Sequence, residues 1–232
     1  MYIVPDILFY HSHILPEIDD GSKSAEESVQ MLEKLSEQGL ERVVATPHFY
    51  AHREESVEGF IKKRKSAYEK LCRKNIPVKE IHLGAEILME SGISECDGIE
   101  KLAIEGTNLI LLEPPYYDCP KNLTDEIYSI SYDYKLKPII AHIHRYIGLY
   151  EKSEIEELLK IDAVFQINNQ AFRNFREKHF VKSLIKEGYP LVFGSDCHNM
   201  TSRIPDFDVI LKKGKLKESI ERSDKIFEEY RK

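Results

Sequence analysis

The chain has 232 residues, of which 42% are hydrophobic, and its 40 acidic and 33 basic residues give a formal net charge of −7. The acidic excess argues against a nucleic-acid partner, which would need a basic surface, and the lack of a long apolar run argues against membrane insertion. The four cysteines form no C-x-x-C pair, so we expect a cytoplasmic protein without a disulfide framework or a thiolate zinc site.

Short apolar segments alternate with amphipathic helices along the chain. Strands are predicted at residues 7–11, 42–46, 78–85, 109–112, 138–141, 163–167 and 191–195. Helices are predicted at residues 24–38, 55–74, 122–135, 153–160, 172–187 and 215–230. Continuous apolar runs are typical of strands that are buried on both faces of a parallel sheet. The alternation predicts an α/β fold, and because no linker divides it we expect a single domain over residues 1–232.

The helix at residues 24–38 has the clearest local signals. Ser24 and Glu27 have the spacing of a capping box, and Gly39 is a typical helix stop. Its apolar stripe consists of Val29, Leu32 and Leu35. We expect the helix to pack on the sheet through this stripe.

Six of the seven predicted strands end at, or are soon followed by, side chains that can ligate a metal ion. These side chains are His11, His13, Asp20, His48, Glu86, Glu113, His142, Asp196 and His198. Strands in an open sheet lie about 4.8 Å apart, so six strand ends would spread over roughly 24 Å. In a closed barrel the same ends surround one face, where barrel enzymes have their active sites. The pattern therefore favours a seven-stranded (β/α)7 barrel over an open sheet.

The candidate ligands are imidazoles and carboxylates, without sulfur. The two imidazoles of His-Ser-His at residues 11–13 point the same way from a strand, although two unrelated polar residues would give the same pattern. The acidic residues 19–21 equally suit an ordinary turn. Glu113 ends an apolar strand, where a charge is costly unless it is paired or bound to a metal. Taken jointly, the ligands suit two or three ions of manganese, iron or zinc.

Together these stretches resemble the PHP (polymerase and histidinol phosphatase) superfamily, and most closely its bacterial protein-tyrosine phosphatases from capsule and exopolysaccharide gene clusters. The stretches are HSHILPEIDDGSKS (11–24), ATPH (45–48), GAE (84–86), LLE (111–113), IAHIHRY (140–146) and GSDCHN (194–199). They follow the family's order over residues 8–200. The resemblance implies a distorted seven-stranded TIM-like barrel of the PHP type. It also implies three divalent metal ions, manganese first, with iron and zinc as alternatives.

The resemblance further implies which residues hold each ion. One metal takes His11, His13, Glu86 and Asp196, a second shares Glu86 and takes Glu113 and His142, and a third takes Asp20, His48 and His198. The implied catalytic residues are Arg145, Arg203 and Glu113, and the two arginines would hold the phosphate. His144 stands where family members often have Glu, which leaves the role of that position open.

The implied activity is that of a metal-dependent protein-tyrosine phosphatase. A hydroxide that bridges two metals would attack phosphorus, because metal binding lowers the pKa of water towards about 7. The expected partner is a phosphotyrosine protein, namely a membrane-anchored bacterial tyrosine kinase that regulates capsular or exopolysaccharide synthesis. The alternative is a PHP-type phosphatase of a small phosphomonoester such as histidinol phosphate, which would share the same metals.

Several features lie outside this resemblance. Cys197 and Arg203 match the C-x5-R pattern of cysteine-dependent tyrosine phosphatases, but the loop between them has no glycine to cradle a phosphate. An amidohydrolase would have eight strands and usually a lysine where Glu113 stands. A binding protein with a degenerate site would not need all nine ligands. Gln166, Asn168 and Gln170 lie at the end of the sixth predicted strand, where they either hydrogen-bond substrate or form a turn.

Overall fold

Strands and helices alternate through the computed structural model, which describes residues 7–211 and 216–232. The strands are β1 (Leu8–Phe9), β2 (Arg42–Ala45), β3 (His48–Phe49), β4 (Glu80–Leu83), β5 (Glu86–Leu88), β6 (Leu109–Glu113), β7 (Lys137–Ile140), β8 (Val164–Asn168) and β9 (Leu191–Gly194). The helices are α1 (Ala25–Glu37), α2 (Val57–Cys72), α3 (Leu123–Tyr134), α4 (Lys152–Lys160), α5 (Phe175–Glu187), α6 (Asp208–Leu211) and α7 (Lys217–Glu229). The six predicted helices correspond to α1–α5 and α7. Residue 215, the predicted start of the last one, lies outside the described residues.

Within the described residues the strands form two sheets. One has the order β1-β2-β4, and the other has the order β3-β5-β6-β7-β8-β9. Every strand pairing in them is parallel. This confirms the predicted α/β fold with parallel strands, whereas a single closed sheet of seven strands is not what the pairings form.

Two of the predicted strands are each interrupted, and these interruptions divide the sheet. The strand predicted at 42–46 ends at Ala45 and resumes at His48, because Pro47 between them has no N–H for the ladder. The strand predicted at 78–85 ends before Gly84 and resumes at Glu86. A Cβ at Gly84 would lie 3.2 Å from an Ile104 side-chain carbon, so the backbone approaches closely there. Both strands resume at a candidate ligand.

The first and last strands lie side by side, although they belong to different sheets. The amide of Tyr10 donates to the carbonyl of Phe193 (3.0 Å), and the amide of Asp196 donates to the carbonyl of His11 (3.1 Å). Beyond both strands, Ser12 forms an isolated parallel bridge with Cys197. The residues that follow the carboxyl ends of β1 and β9 therefore lie next to each other.

Helix α7 covers a buried apolar cluster made by alternate residues of the strands. The strand residues in this cluster are Leu8, Val44, Leu109, Leu111, Ile139, Val164 and Val192. The helix contributes Ile226 and Phe227, and the Tyr10 hydroxyl donates to the carbonyl of Ser223 in its middle (2.9 Å). Arg42, the first residue of β2, pairs with Asp224 of α7 (3.2 Å). Because α7 lies at the amino ends of the strands, their carboxyl ends stay open for a site.

Helix α1 shows how local signals define an element that packs on the sheet. The Ser24 hydroxyl accepts from the Glu27 amide (3.1 Å), as predicted, but the Glu27 carboxylate accepts from the Lys23 amide (2.8 Å) rather than from Ser24. Gly39 has a φ of 86°, which ends the helix. The buried apolar residues of α1 are Met31, Leu32 and Leu35. No helix in the described part of the chain is long and apolar enough to cross a membrane.

Phe227 tests the role of α7 in stability. Phe227→Ala should lower the free energy of unfolding by about 3–5 kcal/mol in urea denaturation, because it leaves a cavity in the cluster below the strands. Tyr132→Ala, on the exposed face of α3, is the matched control and should change it by less than about 0.5 kcal/mol. Equal effects of the two substitutions would contradict this role of α7.

Candidate metal centre

Strand register brings candidate ligands together from distant parts of the chain. His48, the first residue of β3, pairs with Glu86, the first residue of β5. β5 pairs in turn with β6, which ends at Glu113. β7, the next strand, ends two residues before His142. The carboxyl ends of parallel strands meet at one edge, so these four side chains approach each other there.

A first group consists of His11, His13, Glu86 and Asp196, all buried, with ligand atoms within 4.8 Å of one another. The Nε2 atoms of His11 and His13 lie 3.2 and 3.1 Å from Glu86 Oε2. They also lie 3.6 and 3.3 Å from Asp196 Oδ1. Two imidazoles from one strand end thus face two carboxylates from other strands.

Buried polar atoms in this group lack hydrogen-bond partners. They are Glu86 Oε2 and both carboxylate oxygens of Asp196, and the adjacent His48 Nδ1 also lacks one. Burial opposes ionisation of Glu86, but the interactions with the neighbouring His11 and His48 imidazoles outweigh it and hold the pKa of its carboxyl well below its usual range. Ionised carboxylates are costly to bury unless their charge is compensated, and the oxygens left without a hydrogen bond can accept a cation. This donor set, imidazole nitrogen and carboxylate oxygen, fits divalent metal ions.

A second group surrounds the other side of Glu86. Ligand atoms of His48, Glu86 and Glu113 lie within 4.8 Å of one another. His142 Nε2 lies 3.0 Å from Glu86 Oε1 and 3.4 Å from Glu113 Oε1. Glu86 therefore presents one oxygen to each of the first two groups, as a bridging carboxylate would.

A third group lies nearest to solvent and consists of His13, Asp20, His48 and His198. Asp20 Oδ1 lies 3.4 Å from His48 Nε2 and 3.3 Å from His198 Nε2. The Asp20 side chain is 64% exposed, and its hydrogen bond with His198 lowers the pKa of the carboxyl to about 2. His48 Nδ1 faces Glu86 instead (3.1 Å), so His48 joins two groups rather than the one expected from the sequence. All nine predicted ligands lie in these three groups or, for His142, against them.

Arg145 and Arg203 lie at the mouth of the centre. Arg145 Nη1 and Arg203 Nη2 lie 2.7 and 2.5 Å from Asp196 Oδ2, and Arg203 Nη1 lies 2.8 Å from His198 Nε2. Their side chains are 26% and 35% exposed. Two guanidinium groups that are anchored on one carboxylate and open to solvent can bind an anionic oxygen group.

Asp19, which was not among the predicted ligands, orients two of them. The His13 Nδ1–H donates to Asp19 Oδ2 (2.7 Å), which leaves His13 Nε2 free to face the carboxylates. The same oxygen accepts from the His48 amide (3.0 Å), while Oδ1 accepts from the Gly21 amide (2.9 Å). Burial opposes ionisation of Asp19, but His13 outweighs it and holds the pKa of the carboxyl well below its usual range. The two neighbouring acids at residues 19 and 20 were the available signal in the sequence, but they do not show which of the two faces inward.

Gln166 plays the corresponding part for His11. Its Oε1 accepts from His11 Nδ1 (3.2 Å) and from the His142 amide (2.7 Å), and its Nε2 donates to Asn168 Oδ1 (2.8 Å). Both amide side chains are fully buried, so they support ligands from behind. His142 and Asp196 have positive φ values of 28° and 57°, a strained backbone that such bonds help to hold.

Two further residues singled out by the sequence are not members of the ligand groups. Cys197 is fully buried, and burial raises the pKa of its thiol to about 12, so at neutral pH it is not the thiolate that a cysteine mechanism needs. His144 is also buried, and its Nε2 lies 3.9 Å from Glu177 Oε2.

Comparison with known proteins gives consistent matches. The family model for capsular polysaccharide synthesis, CpsB/CapC, matches residues 6–230. Tyrosine-protein phosphatase CpsB of Streptococcus pneumoniae is 30% identical over 230 residues, which cover 88% of this chain and 89% of that protein. Tyrosine-protein phosphatase YwqE of Bacillus subtilis is 26% identical over 206 residues, which cover 83% of this chain and 78% of that protein.

A solved structure has a similar fold. It comes from work described as "Crystal structures of YwqE from Bacillus subtilis and CpsB from Streptococcus pneumoniae, unique metal-dependent tyrosine phosphatases". The TM-score is 0.69 at 21% sequence identity, and the match covers 96% of this chain and 87% of that chain. At this identity the match supports the fold alone.

The bond from His13 to Asp19 can be tested by metal affinity. Asp19→Asn should weaken Mn²⁺ binding by about 10- to 100-fold in calorimetric titration of the metal-free protein, because the amide no longer raises the basicity of His13. Asp125→Asn, an exposed acid on α3, keeps the same change of charge away from the centre and should leave the affinity unchanged. An Asp19→Asn protein that binds Mn²⁺ as tightly as wild type would exclude this role.

Proposed function

The chain belongs to the CpsB/CapC family of capsular polysaccharide synthesis, and we propose that it is a metal-dependent protein-tyrosine phosphatase. The observation that carries the proposal is the convergence of nine imidazole and carboxylate ligands with two arginines at one end of the strands. The names of the curated relatives and of the solved structure support the same activity.

We assign three divalent ions, with manganese as the proposed metal, to the three groups. The first would be held by His11, His13, Glu86 and Asp196, the second by Glu86, Glu113 and His142, and the third by Asp20, His48 and His198. The unsatisfied Glu86 Oε2 and Asp196 Oδ1 support this assignment. When bound, such ions lower the pKa of water and polarise phosphoryl oxygens.

The residues of the chain supply the remaining steps. Arg145 and Arg203 would exchange part of their contact with Asp196 for phosphate oxygens and offset the charge that develops on them. Glu113, at the open side of the second group, would hold its ion beside the reacting phosphate. A tyrosine leaving group has a pKa of about 10, so its departure needs little help from a protonated side chain. No general acid is therefore assigned.

We also propose that the two sheets together form a distorted seven-stranded barrel of the TIM-like type, in a single domain over residues 1–232. The hydrogen bonds between β1 and β9 support it, because they join the edge of one sheet to the edge of the other. The interrupted strands support it too, since β2 with β3, and β4 with β5, each continue one strand.

The proposed partner is a phosphotyrosine protein, namely a membrane-anchored bacterial tyrosine kinase that regulates capsular or exopolysaccharide synthesis. The family description and the named phosphatases support a phosphotyrosine protein from the capsule system. The identity of the kinase and a cytoplasmic location are part of the proposal.

Turnover of a phosphotyrosine peptide tests the activity. The protein loaded with Mn²⁺ should hydrolyse it faster than a phosphoserine peptide and faster than histidinol phosphate. Chelator should abolish turnover, and iodoacetamide at pH 7 should not affect it, because the Cys197 thiol is buried and protonated.

Three other outcomes would contradict the proposal. Preference for histidinol phosphate would assign a small-molecule phosphatase with the same centre. Loss on alkylation without metal dependence would assign the chemistry to Cys197 instead. No turnover with any divalent metal would indicate a binding protein.

Arg145 tests the phosphate contact. Arg145→Ala should lower kcat/KM for the phosphotyrosine peptide by about 10²- to 10³-fold, because one donor to the developing charge is lost, while metal content stays the same. Arg222→Ala, an exposed arginine on α7, is the matched control and should have no effect. Unchanged kcat/KM in Arg145→Ala would remove this residue from the site.

A further inference from the structure

Exposed apolar side chains are concentrated at the end of the strands that carries the candidate ligands. Seven large ones are exposed in the described part of the chain. Five of them follow strands β6 to β9 and are Tyr116, Tyr117, Leu149, Phe175 and Ile204. The other two, Tyr128 and Tyr132, lie on α3.

Strand topology places these five residues around the centre. β6, β7, β8 and β9 are consecutive neighbours in one parallel sheet, so the segments that follow them leave from the same edge. That edge also carries Glu113, His142 and Asp196. Each of these four segments contains an exposed apolar side chain, and three of the four preceding strands (β6, β7 and β9) end at or just before a candidate ligand.

Ring contacts connect Tyr116 to the centre through Tyr146. The Tyr146 ring lies 5.8 Å from the His142 ring, and the Tyr116 ring lies 6.2 Å from the Tyr146 ring on the outer side. The Tyr146 hydroxyl donates to the carbonyl of Pro114 (2.6 Å), and the Tyr150 hydroxyl donates to that of Pro115 (2.7 Å). These bonds fix the backbone just before Tyr116 and Tyr117. The two tyrosines therefore start from a fixed backbone, which lowers the entropy cost of binding a partner.

The mouth of the centre is open to solvent. Asp20, Arg145 and Arg203 are all partly exposed at its mouth. Sites for small molecules are usually enclosed cavities, whereas a cavity of about 610 Å³ in this structure lies between α4 and α5 and contains none of the nine ligands. A centre whose mouth is open to solvent, with exposed aromatic and aliphatic groups on the segments that follow its strands, suits a residue presented on a polypeptide.

We propose that Tyr116, Tyr117, Leu149, Phe175 and Ile204 form an apolar rim that binds apolar residues on either side of the phosphotyrosine in a polypeptide substrate. The proposal rests on the proposed phosphatase function and specifies its substrate. Isolated exposed apolar residues need no explanation, but these follow the strands whose ends form the centre, and Tyr116 is linked to it through Tyr146. Tyrosine side chains often dominate binding at interfaces.

Three substrates and two double variants test the rim. The substrates are a phosphotyrosine peptide with leucine and isoleucine on both sides, the same peptide with serine in those places, and p-nitrophenyl phosphate. The rim variant is Tyr116→Ala with Tyr117→Ala, and the matched control is Tyr128→Ala with Tyr132→Ala on α3. All four tyrosines are exposed, so both proteins should fold, which circular dichroism would verify.

The wild type should have a lower KM for the apolar peptide than for the serine peptide. The rim variant should raise the KM for the apolar peptide by about 5- to 30-fold, the cost of removing a binding hot spot. Its kcat, and its kcat/KM for p-nitrophenyl phosphate, should stay at the wild-type values. The control variant should match the wild type throughout.

Other results would overturn the rim. A wild type that hydrolyses both peptides with equal KM, or a rim variant with an unchanged KM, would exclude it while leaving the phosphatase function intact. Equal losses on all three substrates would assign the tyrosines to the centre. Loss of a dimer in light scattering with unchanged KM would assign them to an interface between two copies. Failure of the wild type on both peptides would remove the phosphatase function and the rim together.

Discussion

Burial of two carboxylates among imidazoles is the interaction on which the rest of the structure depends. Glu86 and Asp196 are withdrawn from water, and positive groups around them hold their pKa values well below the usual range. Such a cluster is costly to bury without a compensating cation, so the surrounding scaffold must hold every ligand in place. The centre therefore accounts for features that packing alone would not require, such as the positive φ of His142 and Asp196.

The scaffold meets this demand from two directions. The register of the parallel strands determines which residues lie side by side at the ligand end, as in the pairing of His48 with Glu86. Side chains behind the ligands then fix the imidazole rings, as Asp19 does for His13 and Gln166 for His11. Helix α7 covers the opposite end of the strands, which leaves the ligand end open to a substrate.

The sequence predicts those elements of the fold that depend on short, local patterns of residues. The bounds of α1 follow from Ser24 and Gly39, and the parallel sheet follows from continuous apolar runs. The resemblance to capsule tyrosine phosphatases is confirmed by the family match. The short strands β3 and β5 were missed: the predicted strands end at residues 46 and 85, and the apolar runs do not show that pairing resumes at His48 and Glu86. Gln166 was singled out from the sequence as a substrate-binding or turn residue, but its bond to His11 was missed, since the two residues are 155 positions apart.

Anomalous scattering from crystals grown with manganese would test the central claim most directly, namely that these strand ends form one multinuclear metal centre. The account predicts three peaks: one between His11, His13, Glu86 and Asp196, one between Glu86, Glu113 and His142, and one between Asp20, His48 and His198. The absence of any peak among these side chains, or peaks only elsewhere on the protein, would contradict it.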